Sequence, residues 1–126
     1  DSSGECSVPM YYRFFAPDNG NDIYWYSFDF GNIHFIMMST EHDYTKGSEQ
    51  YNWIEQDLQQ VNRQRTPFIV FGGHRAMYES ELYPSQWAVA LGLRQSLEDL
   101  LYEYKVDVAF WGHYHSYERT CAAYKG

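Results

Sequence analysis

The sequence predicts an α/β fold with a mixed sheet, in which an aromatic β-hairpin is followed by a βαβ crossover unit. The hairpin is indicated by two runs of aromatic and aliphatic residues, 23–30 and 33–39, which only a Gly-Asn pair separates. The crossover unit is indicated by two short apolar runs, 68–71 and 106–111, on either side of a long helical pattern. Strands joined in this way are parallel, and the connection is right-handed.

The composition is that of one acidic globular domain. The chain has 126 residues, of which 44% are hydrophobic and 20% aromatic, and 13 of the aromatic residues are tyrosines. Its formal net charge of −8 argues against a nucleic-acid partner and against an anionic membrane surface. No apolar run is long enough to cross a membrane, and no signal peptide is visible. Because the chain begins at Asp1 rather than at Met, we expect a processed product or an excised piece of a longer protein.

Before the helices, the chain is expected to form a loop and then the hairpin. Residues 1–22 read as a loop, with a short extended segment at 10–15. Both hairpin strands are apolar at nearly every position, which predicts burial on both faces. His34 lies in the second strand, and we interpret it as a packed or edge histidine rather than a ligand.

Two amphipathic helices are expected to cover the sheet. The first runs over residues 48–63, with Ser48 as the N-cap and with Arg63 and Arg65 late enough to complement the helix dipole. The second runs over residues 87–104, where Gly92 is a weak point.

Three histidines follow the predicted parallel strands of the crossover unit. His74 comes after one strand and two glycines, and His113 and His115 come after the other strand and one glycine. Because parallel strands align their carboxyl ends, all three histidines are expected at one edge of the sheet. Histidine is the commonest metal ligand among side chains, so this edge is a candidate metal site. The alternative is a strand end with hydrogen-bonded histidines.

Other residues at this edge allow more than one interpretation. The glycines before His74 are expected to let the backbone turn sharply and to leave room for a close approach. His42 follows the second hairpin strand and could be a ligand, an acid–base group or part of a surface turn. Residues 76–85 are expected to form an irregular loop over the site.

The two cysteines lie near opposite ends of the chain. Cys6 and Cys121 could form a disulfide that closes a very long loop, or they could be free thiols. A disulfide would indicate an oxidising compartment.

Two segments resemble the metallophosphoesterases, and specifically the purple acid phosphatases. They are residues 71–78, Phe-Gly-Gly-His-Arg-Ala-Met-Tyr, and residues 104–119, which end in Gly-His-Tyr-His-Ser-Tyr-Glu-Arg. Shorter stretches that fit the same pattern are 4–6, 32–35, 50–54 with 57–58, and 118–121. The likeness covers nearly the whole chain.

The resemblance implies an acid phosphatase that hydrolyses phosphate monoesters at a dinuclear metal centre. The implied fold is a metallophosphoesterase β-sandwich flanked by helices, and the implied metals are Fe(III) with Zn, Mn or Fe(II). By the same resemblance, His74 and His113 bind the divalent ion and His115 binds the iron. It also implies a Cys6–Cys121 disulfide and a secreted or lysosomal/vacuolar location.

The remaining ligands of this family are not found as motifs in the chain. They are an aspartate, a bridging aspartate followed by a tyrosine, and the asparagine of an Asn-His-Glu motif. Residues 1–126 therefore resemble the carboxyl-terminal portion of the catalytic domain, whose partner is the upstream half of that domain. Some family members also carry a histidine after the His74 loop, but residues 78–87 contain none, so no catalytic acid is assigned.

The missing carboxylates predict that the chain alone is a poor enzyme. A bridging carboxylate normally offsets the charge of two neighbouring cations, and three neutral histidines cannot do so. Two other functions are compatible with the sequence: a related phosphodiesterase or nucleotidase, and a non-catalytic metal-binding or interaction module that uses its aromatic surface.

Overall fold

The structure is a computed structural model that describes residues 8–81 and 84–125, with only the backbone at Ser85. Its helices and strands are α1 (Val8–Arg13), β1 (Tyr26–Phe30), β2 (Ile33–Met37), α2 (Glu49–Gln60), β3 (Phe68–Gly73), α3 (Pro84–Leu93), α4 (Asp99–Glu103) and β4 (Val108–Trp111). A π-helical segment, Arg94–Glu98, joins α3 to α4 without a break. The predicted α/β class is confirmed.

The four strands form one mixed sheet in the order β1-β2-β3-β4. The predicted hairpin is confirmed, since β1 and β2 are antiparallel and Phe30 pairs with Ile33. Gly31 has a φ of +60° at the first of the two loop positions, where a type II′ turn requires a residue that tolerates positive φ. The predicted parallel pairing of β3 with β4 is also confirmed, and β2 pairs in parallel with β3.

The hydrophobic core lies between one face of the sheet and the helices. The central strands contribute Ile36, Ile69 and Phe71, each at most 1% exposed. The helices contribute side chains that are less than 5% exposed, namely Ile54, Leu58, Leu93, Leu97 and Leu100. This apolar face fixes the strands against the helices and so fixes where the strands end.

The opposite face of the sheet, here called the outer face, is apolar but exposed. Phe28 of β1 stacks on Phe35 of β2, with ring centroids 5.0 Å apart. Phe30 is 74% exposed and Phe110 is 65% exposed. The prediction that the hairpin strands are buried on both faces is therefore wrong for β1. It is an edge strand, and the described residues leave its outer aromatic side chains open to solvent.

The amino-terminal loop prediction is wrong over Val8–Arg13, which is a short helix rather than a loop or an extended segment. Residues 14–20 form neither helix nor strand, as predicted, and residues 1–7 lie outside the described residues. The helical bonding continues to Phe14, whose N–H donates to the Met10 carbonyl at 3.0 Å. Proline is tolerated in the first helical turn, and Pro9 occupies that turn. Aromatic residues favour strands only where a neighbouring strand is available to pair with them, whereas a helix makes its hydrogen bonds within one segment.

The first long helix differs from its prediction at its carboxyl end. Ser48 is the N-cap, as predicted, and its hydroxyl accepts a hydrogen bond from the Tyr51 N–H at 3.2 Å. However, α2 ends at Gln60, so Arg63 and Arg65 lie beyond its last turn. They therefore do not complement its dipole.

The second long helix is confirmed in position, but it begins at Pro84 rather than at Trp87. Proline suits the first helical position because its missing N–H would have no partner there. Gly92 also has a packing role, since a Cβ at this position would lie 3.2 Å from the Tyr44 hydroxyl. Within the described residues, no helix is both long enough and apolar enough to span a bilayer.

Candidate metal centre

The carboxyl ends of β3 and β4 bring two of the predicted metal ligands together. Gly73 pairs with Trp111, so the residues that follow these two strands are neighbours. The Gly112 N–H donates to the His74 carbonyl at 2.8 Å. This contact places His113 directly beside His74.

The two imidazoles meet through one nitrogen each. Nδ1 of His113 lies 3.1 Å from Nε2 of His74, and the ring planes are nearly perpendicular at 87°. Two nitrogens that bind one tetrahedral zinc ion at about 2.05 Å would be about 3.3 Å apart. The distance between the two nitrogens is therefore compatible with a shared ion as well as with a hydrogen bond.

The backbone at His113 is strained. Its φ is +71°, in the left-handed region that non-glycine residues seldom adopt. Such a conformation costs on the order of 1–3 kcal/mol, persists only where surrounding contacts hold it, and is concentrated at functional sites. The strain supports a functional role for this loop.

His115 is exposed, and the structure does not group it with His74 and His113. Over residues 8–81 and 84–125, no cluster of three or more histidine, cysteine, aspartate or glutamate side chains could hold a metal ion. The chemistry of the donors fits, since imidazole suits zinc and iron. Two neutral imidazoles still leave the charge of two cations uncompensated. The assignment of His74, His113 and His115 as ligands stays a prediction.

Arg75 connects three segments at this edge, a role that no pattern in the sequence predicts. Its guanidinium donates to the Glu41 carboxylate at 2.6 Å and to the Gln86 side-chain oxygen at 2.7 Å. Its backbone N–H donates to the Thr40 hydroxyl at 3.2 Å. The hydrogen bond from Arg75 lowers the pKa of Glu41, although burial acts in the opposite sense. Arg75 thus ties the backbone next to His74 to the loop after β2 and to the start of α3. The only sequence signal was its position directly after a histidine.

His42 lies at the same edge but among aromatic rings. Its ring centroid is 4.8 Å from that of Tyr24 and 5.4 Å from that of Trp25, and its Nδ1 lies 2.8 Å from the Ser39 hydroxyl. Among the described residues, it belongs to no group of three metal-ligating side chains.

His34 is packed, as predicted. It is 9% exposed, and its two ring nitrogens contact Asp29 at 2.7 Å and Asp57 at 2.8 Å. Its contacts join β1, β2 and α2, and they do not involve the residues that follow β3 and β4.

The glycines before His74 do not form the sharp turn that we expected. Both lie within β3, and neither has a positive φ. Gly73 provides space instead, because a Cβ there would lie 2.8 Å from the Trp111 ring and 3.0 Å from the Met38 side chain. The close approach was correctly predicted, but it is made by neighbouring side chains.

The predicted disulfide falls partly outside the described residues, because Cys6 lies in the segment before residue 8. Cys121 is exposed. The pairing of the two cysteines stays a prediction.

Comparisons with known proteins identify the family of the chain. The family model of the calcineurin-like phosphoesterases matches residues 5–117. The chain is 43% identical to the "Probable inactive purple acid phosphatase 1" of Arabidopsis thaliana and 37% identical to a "Nucleotide pyrophosphatase/phosphodiesterase" of Hordeum vulgare. These matches cover 99% of this chain but 21% and 35% of the two relatives.

A solved structure has the same fold. It is the purple acid phosphatase PPD1 from yellow lupin (Lupinus luteus) seeds, with a TM-score of 0.88 and 43% identity over 99% of this chain and 22% of that one. The predicted metallophosphoesterase fold is thus confirmed, and the chain spans about a fifth of the length of most of these proteins. The chain belongs to the calcineurin-like phosphoesterase family, a family of dinuclear metal-dependent phosphoesterases, and its relatives there include purple acid phosphatases.

Proposed function

We propose that this chain supplies part of the dinuclear metal centre of an acid phosphatase that hydrolyses phosphate monoesters. The observation that carries the proposal is the 3.1 Å approach of His113 Nδ1 to His74 Nε2 at the ends of two parallel strands. The strained backbone of His113 and the family of the chain support it.

In this proposal His74 and His113 hold a divalent ion, Zn, Mn or Fe(II), and His115 contributes to an Fe(III) site. When bound, two adjacent ions offset the charge of the phosphate oxygens and lower the pKa of the attacking water. The chain's own residues orient the imidazoles: Gly112 binds the His74 carbonyl, and Arg75 fixes the backbone after His74.

The carboxylate ligands would come from the upstream half of the catalytic domain. In this proposal the whole protein is secreted or lysosomal/vacuolar, and Cys6 and Cys121 form a disulfide. Its substrate is a phosphate ester.

Zinc binding tests the metal site. Isothermal titration of the natural polypeptide that contains this sequence should show zinc binding that His113→Ala weakens at least about tenfold, because a ligand nitrogen is lost. His42→Ala is the matched control, since His42 lies at the same edge but apart from the pair, and it should bind like wild type. Absence of binding of Zn, Mn and Fe(II) alike in wild type, or equal affinity in His113→Ala, would contradict the proposal.

Turnover of p-nitrophenyl phosphate at acidic pH, with iron and zinc added, tests the division of the site. We expect residues 1–126 alone to turn it over poorly or not at all, because the charge-compensating carboxylates are missing. Turnover by the isolated chain that equals that of the complete polypeptide would contradict this expectation.

A phosphodiester or nucleotide substrate is the second candidate, and the barley relative favours it by its name. Bis(p-nitrophenyl) phosphate separates the two candidates. Preferential cleavage of this diester by the complete polypeptide would favour a phosphodiesterase. The names of several relatives include the word inactive, which keeps a non-catalytic role open as a third outcome. Zinc binding by the complete polypeptide without cleavage of either p-nitrophenyl substrate would indicate such a role.

A further inference from the structure

The loop after His74 and the loop after His115 are joined by two serine–glutamate pairs. Ser80 donates from its N–H and its hydroxyl to Oε2 of Glu118, at 3.2 and 3.0 Å. Ser116 donates from its hydroxyl to Oε1 of Glu81 at 3.1 Å. Each loop gives one hydroxyl and one carboxylate, so the pairs are reciprocal. We call these four residues, Ser80, Glu81, Ser116 and Glu118, the serine–glutamate clasp.

The clasp completes the attachment of the His113–His115 loop. On the amino-terminal side, the loop is held by the hydrogen bond from Gly112 to the His74 carbonyl. On the carboxyl-terminal side, the clasp holds it directly after His115. Between these two attachments lies the strained backbone of His113, which persists only where flanking contacts fix it.

We infer that the clasp positions His113 and His115 relative to His74 and thereby sets the metal affinity of the site. Glu118 and Glu81 are positioning residues in this scheme, because each accepts a hydrogen bond from a serine of the other loop, and among the described residues they belong to no cluster of three potential metal ligands. The inference about affinity rests on the proposed metal site, whereas the inference about loop position stands without it.

The first test compares two replacements of Glu118 in the natural polypeptide. Glu118→Ala removes the acceptor for Ser80 and should weaken zinc binding about tenfold or more, as the loss of groups that orient metal ligands typically does. Glu118→Gln retains an acceptor oxygen and should bind zinc nearly as wild type does. Glu103→Ala, at an exposed glutamate that ends α4, is the control and should change nothing. Unchanged zinc affinity in Glu118→Ala would overturn the inference. A loss of zinc affinity in Glu118→Gln equal to that in Glu118→Ala would also overturn it, because a metal ligand or a purely electrostatic role would give that result.

A double-mutant cycle tests the second pair. Ser116→Ala and Glu81→Ala remove the same hydrogen bond, so the double variant should lose no more zinc affinity than either single variant. Losses that multiply in the double variant would show that the two side chains act separately and would overturn the pairing.

Hydrogen exchange in the metal-free polypeptide gives a readout that needs no metal. The backbone amides of residues 113–119 should exchange several-fold faster in Glu118→Ala than in wild type or Glu118→Gln. Equal exchange in all three proteins would overturn the inference. If wild type binds none of Zn, Mn and Fe(II) but the exchange rates still differ, the proposed function fails while the clasp stands. If wild type binds zinc but neither the exchange rates nor the zinc affinities differ among the variants, the proposed function stands while the clasp fails.

Discussion

His34 is an imidazole held between carboxylates from two different elements. Asp29 belongs to β1 and Asp57 to α2, and each contacts one ring nitrogen. Only the doubly protonated ring can donate to both. Burial lowers the pKa of His34, but the hydrogen bonds and charges of Asp57 and Asp29 outweigh it, so the pKa is raised above 6.5.

The raised pKa of His34 predicts stability that falls as pH rises. The contribution is fully present below the unfolded-state pKa of about 6.5 and is lost as pH rises through the higher folded-state pKa. The difference in unfolding free energy between wild type and His34→Gln should therefore be largest near pH 5.5 and shrink toward pH 8.5, as measured by urea denaturation. His42→Gln, at an exposed histidine, is the control. A difference that grows with pH would contradict this account.

Gly73 shows how a missing side chain can be required by packing. A Cβ at this position would press on the Trp111 ring, whereas a Cβ at Gly72 would meet only the flexible end of Met37. We expect Gly73→Ala to lower the unfolding free energy by about 1–3 kcal/mol through overpacking, and Gly72→Ala to cost less. Thermal denaturation of the two variants measures this, and equal losses would contradict the steric explanation.

The contacts of individual side chains were only partly predictable from sequence. The approach of His74 to His113 followed from parallel strands, because backbone pairing alone aligns the strand ends. The contact of Arg75 with Glu41 spans 34 positions and that of Ser80 with Glu118 spans 38. Such contacts depend on how irregular loops fold over one another, and no periodicity encodes them.

At the scale of elements, one arginine joins the ends of several helices and strands. Arg63 donates to the carbonyls of Pro67, Tyr104 and Lys105 at 2.6–2.8 Å and to the Asp107 carboxylate at 2.9 Å. These residues precede β3 and lie between α4 and β4. The guanidinium thus holds the starts of two neighbouring strands together.

This geometry predicts that Arg63→Lys is not a conservative change. A lysine ammonium cannot reproduce the planar fork that binds several acceptors at once. We expect Arg63→Lys to lower the unfolding free energy by about 2 kcal/mol, close to the effect of Arg63→Ala. Arg65→Lys, at a side chain that is 76% exposed, should be near neutral. Urea denaturation measures both, and full retention of stability by Arg63→Lys would contradict the role of the fork.

The hairpin, both long helices and the parallel strands were predictable because each has a local signal. Apolar runs indicated the strands, Gly31 allowed the turn, and Ser48 capped α2. The errors arose where local preference had no tertiary partner. The aromatic residues of α1 resembled a strand, and the outer side chains of β1 resembled buried ones. Exposure of a strand depends on what lies against it, which its own residues do not specify.

At the scale of the molecule, the two faces of the sheet differ. One face packs on the helices and contains the core, while the outer face presents exposed aromatic side chains such as Phe30 and Phe110. The candidate metal residues lie on neither face but at the edge where β3 and β4 end. The core and the candidate chemistry therefore use separate residues.

This separation has a consequence for substitutions at the candidate metal site. His74 and His115 are exposed and His113 is only half-buried, so their replacement removes little of the packing that defines the fold. Substitutions at these strand ends can therefore change the candidate metal site and still leave the whole scaffold in place.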